Sequence, residues 1–176
     1  MKKLHLLLIF ALSLLLTSCA SPSVDHYKDK TPKLDLEHFF KGTVDAWGMF
    51  QDRKGEVVKR FHVVIQSRYE GTTFVLDEQF TYDDGTHQQR IWRLQKQSDG
   101  RWIGRADDVV GDAVGEISGN ALHWRYVLDL PVGSSNYHMK MDDWMFLMDE
   151  NTLVNRTQMS KFGIDLGEVT LFFKRR

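Results

Sequence analysis

Residues 73–96 read TFVLDEQFTYDDGTHQQRIWRLQK, two alternating apolar and polar runs on either side of Asp83-Asp84-Gly85. That turn suits a three-residue hairpin loop whose glycine takes the left-handed conformation, and it sets Tyr82 opposite Thr86. Counting back from the turn, Leu76 faces Trp92, Phe74 faces Leu94 and Glu78 faces Arg90. Apolar residues gather on one face in this register, whereas a two-residue turn at Asp84-Gly85 would set Leu76 against Arg93 and scatter them. Ser98-Asp99-Gly100 repeats the chemistry and pairs Gln97 with Arg101, so the next hairpin sets Gly104 against Leu94 and Ala106 against Trp92. Gly119-Asn120 reads as a two-residue turn pairing Ser118 with Ala121, which brings Trp124 opposite Gly115 and Tyr126 opposite Ala113.

The same punctuation runs outward in both directions. Strands are expected near 42–50, 57–68, 72–82, 87–97, 101–107, 112–118, 121–130, 137–148, 153–160 and 168–174, separated by Gly, Asp and Asn turns. Short links join antiparallel neighbours, so the strands form a meander. About ten strands leave fewer edges if the sheet curls on itself. The fold expected for residues 37–176 is therefore all-β, a single antiparallel meander barrel.

The N-terminus carries a different message. Lys2 and Lys3 precede the apolar run Leu4 to Leu16, and Leu16-Thr17-Ser18-Cys19 closes it. This is the layout of a bacterial lipoprotein signal over residues 1–18, with Cys19 as the lipidated first residue of the mature chain. The apolar run is shorter than the roughly 20 residues that span a bilayer. A diacylglyceryl thioether on the Cys19 sulfur and a third acyl chain, such as palmitate, on its amine would hold the domain at a membrane. Ala20 is not the aspartate that commonly retains lipoproteins at the inner membrane, so the expected address is the periplasmic face of the outer membrane. Residues 19–36 are polar, contain two of the three prolines and lack periodicity, and they read as a flexible tether.

Composition narrows the classes of function. Without residues 1–18 the chain keeps 21 basic and 24 acidic residues, a formal charge of −3. Basic residues cluster only at Lys174-Arg175-Arg176, so no nucleic-acid footprint is present. The single cysteine is taken by the lipid, which leaves no thiol chemistry. His62, His87, His123 and His138 fall on four different strands, without metal-ligand spacing, and read as scattered surface histidines. No nucleophile elbow, phosphate loop or zinc signature occurs, so no cofactor and no metal are expected. Enzymatic function is the weakest of three readings, with Glu78, Asp108 and Asp143 the first carboxylates to test.

Candidate site residues follow from the register. Glu78 shares a face with Phe74, Leu76, Phe80 and Tyr82, and Arg90 opposite it forms either a structural ion pair or the polar end of a cavity. Strand alternation must turn one carboxylate of Asp142-Asp143 inward, with Asn155 and Arg156 as partners from the next strand. Met139, Met141, Met145 and Met148 suit a soft wall, for a lipid chain or for an irregular core. Large aromatics opposite small residues fit dense packing or a ligand beside an aromatic wall. The ligand-binding set is thus Glu78, Arg90, Trp92, Trp124, Tyr126, Met141, Asp143 and Arg156. The expected function is binding of a lipid, a fatty acid or another small hydrophobic molecule. The alternatives are a solid-barrel envelope scaffold that binds a protein, and a carboxylate-dependent enzyme acting on lipids.

Stretches spread over the whole domain also carry a resemblance. Phe39-Phe40-Lys41-Gly42, Asp52-Arg53-Lys54-Gly55, Leu76-Asp77-Glu78-Gln79-Phe80, Tyr82-Asp83-Asp84-Gly85, Gly104 to Gly111, Gly119-Asn120-Ala121-Leu122, Asp142-Asp143-Trp144-Met145, Asn155-Arg156 and Lys161-Phe162-Gly163 are similar to a family of predicted Gram-negative lipoproteins. That family is known as domain of unknown function 3833. It looks like a relative of lipocalins and other calycin barrels, and the resemblance implies a barrel that binds hydrophobic small molecules. One departure from true lipocalins is the absence of Gly-x-Trp on the first strand, where Trp47 follows Asp45-Ala46.

Overall fold

The computed structural model describes residues 22–176, so the expected signal segment and Cys19 lie outside the described residues. Ten strands follow one another: β1 (Thr43–Asp52), β2 (Val57–Glu70), β3 (Thr73–Tyr82), β4 (His87–Lys96), β5 (Trp102–Arg105), β6 (Ala113–Ser118), β7 (Ala121–Val132), β8 (Ser135–Asp149), β9 (Thr152–Lys161) and β10 (Ile164–Arg175). Each pairs antiparallel with its neighbours in sequence, and β10 returns to pair with β1, which closes the barrel.

The turns act as the sequence predicts. The Tyr82 amide donates to the Thr86 carbonyl at 2.9 Å, Gly85 takes φ +81°, and the Asp84 side chain accepts from the Thr86 amide at 2.9 Å. Leu76 consequently pairs with Trp92, Phe74 with Leu94 and Glu78 with Arg90. Gly104 pairs with Leu94, Gly115 with Trp124 and Ser118 with Ala121. Trp124 needs that register. A Cβ on Gly115 would lie 2.1 Å from its ring and one on Gly104 2.5 Å from it, so the two glycines make room for the indole.

Three features depart from expectation. The fifth strand is only four residues long, because the chain leaves the ladder at Ala106 and folds over β7 instead. There the Val110 amide donates to the Val127 carbonyl and the Asp129 amide to the Asp108 carbonyl, both at 2.8 Å. The eighth and tenth strands begin earlier than read, at Ser135 and Ile164. Most of the described part of the expected tether is docked. Val24–Tyr27 forms a turn of 3-10 helix, and the Tyr27 ring packs on Phe146 and Trp144 with centroids 5.2 and 5.8 Å away. The Leu34 amide donates to the Gly119 carbonyl at 2.8 Å, and the Leu34 side chain is buried. Gly119 has φ +57°, and a Cβ there would strike the Tyr27 carbonyl oxygen, so docking and turn require the same glycine. Two apolar side chains in a polar stretch suffice to hold this segment, without any periodicity a sequence could show.

The barrel ends differ. One carries the turns at 71–72, 98–100, 119–120 and 150–151 and is plugged by helix α1 (Leu36–Phe40), N-capped by Asp35, whose carboxylate accepts from the His38 amide at 2.9 Å. Leu36, Phe39 and Phe40 are buried there, and Phe40 meets Phe173 edge-on at 5.8 Å. The other end carries the turns at 53–56, 83–86 and 133–134 and the 106–112 loop, and no helix covers it among the described residues. No helix among them is long and apolar enough to cross a membrane. Gly115→Ala drives a methyl group into the Trp124 ring and is expected to cost about 1–3 kcal/mol of stability in urea unfolding; a loss below 0.5 kcal/mol would show that Trp124 can shift freely.

Candidate functional site

The interior is hollow. A cavity of about 740 Å³ opens at the uncapped end and reaches down to Leu36 and Phe40 of the plug. Its size is ordinary for a small-molecule site, and its wall is mainly aromatic and aliphatic. Trp92 stands edge-on to both Trp124 and Tyr126, with centroids 5.7 and 5.4 Å apart, and forms one side. Met141, Met159 and Leu128, backed by Met139, form a second, softer side. Phe50, Lys59, Thr86, His87 and Pro131 border the mouth.

A group of polar side chains meets in the middle of this apolar shaft. Glu78 points inward from β3, Arg90 from β4, Tyr126 from β7, Asp143 from β8, and Asn155 with Thr157 from β9, while Asp108 enters from the 106–112 loop. Arg90 does not close an ion pair with Glu78 across the strands. Its Nε and Nη2 donate instead to the Asp108 carboxylate, at 2.9 and 2.7 Å to Oδ2, with the guanidinium 5.5 Å from the Phe80 ring centroid. The loop that folds over β7 brings Asp108 within reach, and a strand continued through 107 would have kept it away.

Glu78 is left with neither a side-chain hydrogen bond nor an ion pair within 4 Å among the described residues. Burial raises its pKa to about 7; Arg90 opposes this, and Asp108 and Asp77 add to it. Asp143 is also raised to about 7, chiefly by burial, against hydrogen bonds from Asn155 and Thr157 and with a further push from Glu78 and Asp142. The Asn155 amide donates to Asp143 and to the Trp144 carbonyl, while its own oxygen accepts from Thr157 at 3.2 Å. The Tyr126 phenol is held protonated by burial and by the nearby Asp143, Glu78 and Asp108 carboxyls, with Arg90 opposing.

Seven of the eight residues expected at a ligand site line the cavity: Glu78, Arg90, Trp92, Trp124, Tyr126, Met141 and Asp143. Arg156 does not. It lies one residue beyond the inward-facing Asn155, and alternation puts it on the outer wall, where its Nε donates to Glu168 at 2.6 Å. Met148 likewise faces outward and is exposed. Alternation splits the aspartate pair as expected, with Asp143 inside and Asp142 outside, where its Oδ1 accepts from His123 Nε2 at 2.7 Å. His123 itself is buried beneath Trp144, 4.1 Å between ring centroids, and is no surface histidine. Asn155 was expected only as a partner of the inward aspartate and Thr157 had no assigned role, although their parity with Leu153 and Met159 marks the same face. Among the described residues no three His, Cys, Asp or Glu side chains come together to hold a metal ion.

Comparison with known proteins agrees with this geometry. The family model described as a protein of unknown function, DUF3833, matches residues 13–175. The chain belongs to the DUF3833 family. No curated protein matches it significantly. A solved structure of a DUF3598-family protein of unknown function from Nostoc punctiforme is similar, with a TM-score of 0.58 and 8% identity, over 90% of this chain and 53% of that one. The DUF3833 chain thus spans about half the length of that protein and shares its fold. Apocrustacyanin C1 (TM-score 0.45, 14% identity) and lobster apocrustacyanin A1 (0.43, 12%) are more distant, each covering 90% of this chain and 72% of its own.

The two raised carboxyls set a pH dependence. Between about pH 4.5 and 7 the folded DUF3833 barrel keeps a proton on Glu78 that the unfolded chain has released. Stability therefore falls as pH rises through that window, and the loss is complete above it. For Glu78 the loss is on the order of 3 kcal/mol. Glu78→Gln is expected to flatten the difference in unfolding free energy between pH 5 and pH 8 and to be the more stable form at pH 8. Parallel curves for the two proteins would place Glu78 in contact with bulk water.

Proposed function

We propose that this DUF3833 protein binds a lipid or other small hydrophobic molecule inside its barrel, while acyl chains on Cys19 hold it at the periplasmic face of the outer membrane. The hollow shaft carries the reading. Interiors normally pack to crystal-like density, and a cavity of about 740 Å³ through the centre of a small barrel forgoes dispersion contacts on every lining side chain. An occupant of matching shape restores them. A scaffold that works through its outer surface has no use for such a void, which favours the binding reading over the solid-barrel alternative. The wall is of the right chemistry, with Trp92, Trp124 and Tyr126 as rigid rings and Met141 as an adaptable contact. The up-and-down meander is also the architecture in which small barrels enclose ligands. The lipidation reading rests on the Leu16-Thr17-Ser18-Cys19 sequence alone.

Two experiments test this. The Cys19→Ser domain, purified from periplasm without detergent, is expected to carry a stoichiometric lipid in native mass spectrometry or to bind the neutral fluorophore N-phenyl-1-naphthylamine. Trp92→Ala and Tyr126→Ala are expected to weaken fluorophore binding at least ten-fold, and unchanged affinity in folded variants would overturn the placement. Wild-type protein is expected in the membrane fraction and the Cys19→Ser variant in the soluble periplasmic fraction; equal partitioning of the two would overturn the anchor.

A further inference from the structure

The polar groups in the shaft define what kind of head an amphiphilic ligand must have. The cluster holds three carboxyls, Glu78, Asp108 and Asp143, and one cation, Arg90. Asp108 already balances Arg90 through two hydrogen bonds to one carboxylate. Asp143 is engaged by Asn155 and Thr157. What remains facing the void is the Glu78 carboxyl, without a counter-ion within salt-bridge distance, and Tyr126 lines the same void. We infer that the cavity selects a cationic head, a long-chain primary amine in chemical class, and rejects the carboxylate of a fatty acid. This rests on the lipid-binding reading above and gives it a substrate class.

A bound carboxylate would meet the Glu78 and Asp143 carboxyls, with the one guanidinium already neutralised, and like charges repel strongly where water is excluded. An ammonium group supplies the charge that Glu78 lacks and donates to Glu78 and to the Tyr126 oxygen, while its alkyl chain covers the Trp92 face or the methionine wall. The groups around Glu78 agree from every side. β2 presents Ile65 at the paired position, β4 presents Arg90, the loop Asp108, β7 Tyr126 and β8 Asp143, with Asp77 on its own strand facing outward. Towards the mouth, Lys59 is occupied by Asp84 at 3.6 Å, and the ring of His87 meets the Thr81 hydroxyl at 3.2 Å. Glu78 must ionise to serve as the counter-ion, so amine binding releases a proton when Glu78 is still protonated.

The test compares dodecylamine, dodecanol and dodecanoate, below their micellar concentrations, as displacers of N-phenyl-1-naphthylamine from the Cys19→Ser domain. Expected at pH 7.5 is dodecylamine tightest, at least ten-fold over dodecanol and further over dodecanoate. Its affinity is expected to rise from pH 5.5 to 7.5, with net proton release in calorimetry across two buffers of different ionisation heat. Glu78→Gln is expected to erase the preference of amine over alcohol, and Arg156→Gln on the outer wall to keep it. Dodecanoate binding as well as dodecylamine, or a preference unchanged in Glu78→Gln, overturns the head-group assignment and leaves the lipid-binding reading standing. Displacement by none of the three overturns the head-group assignment, and failure of the fluorophore itself to bind, with no lipid carried, overturns both.

Discussion

The pairing of β1 with β10 is the constraint on which the rest depends. A meander of ten strands would otherwise expose two rows of unpaired backbone groups, and nine paired positions from Val44 with Arg175 to Asp52 with Gly167 satisfy them. The seam is reinforced where the chain ends. The Arg176 amide donates to the Thr43 carbonyl at 3.1 Å, and its guanidinium donates to Asp45, whose own pKa is lowered to about 2 by that hydrogen bond, against a small cost of burial and with further help from His62. Closure turns alternation along each strand into an inside and an outside. It also fixes the circumference, and with it a lumen that the available side chains do not fill.

The lumen resolves a tension in the pattern of large residues opposite small ones. Gly104 and Gly115 lie beneath Trp124 and leave no room for a Cβ, so the wall is tightly packed behind that indole. The void is bordered by Trp92, Tyr126 and the methionines Met141, Met145 and Met159 of β8 and β9. Dense packing and ligand space are thus both present, at different positions around one barrel. The polar group faces the open sector, where its side chains line the void.

Much of this was legible because turn chemistry fixes register. Asp84-Gly85 places Glu78 beside Arg90, and Gly119-Asn120 places Trp124 over Gly115, without any knowledge of the rest of the chain. What was not legible came from segments without a period. Asp108 reaches Arg90 because residues 106–112 leave the ladder and bond to β7, a contact that no pairing rule for neighbouring strands encodes. Tyr27 and Leu34 dock a segment too polar to read as structured. Arg156 is a different case: strict parity with Asn155 excludes it from the interior, and the expectation that both could partner Asp143 ignored that rule.

The docked N-terminal segment also determines reach. Pro22 to Asp25 border a groove with Asp99, Gly100 and Arg101, on the turn between β4 and β5 at the plugged end. Only two residues separate Pro22 from Cys19, three residue steps or at most about 10 Å of extended chain. If Cys19 is lipidated as proposed, the barrel is on a short leash, with its sealed end towards the leaflet that holds it and its mouth turned to the opposite side. Cargo would be exchanged across the periplasmic space rather than with the anchoring bilayer.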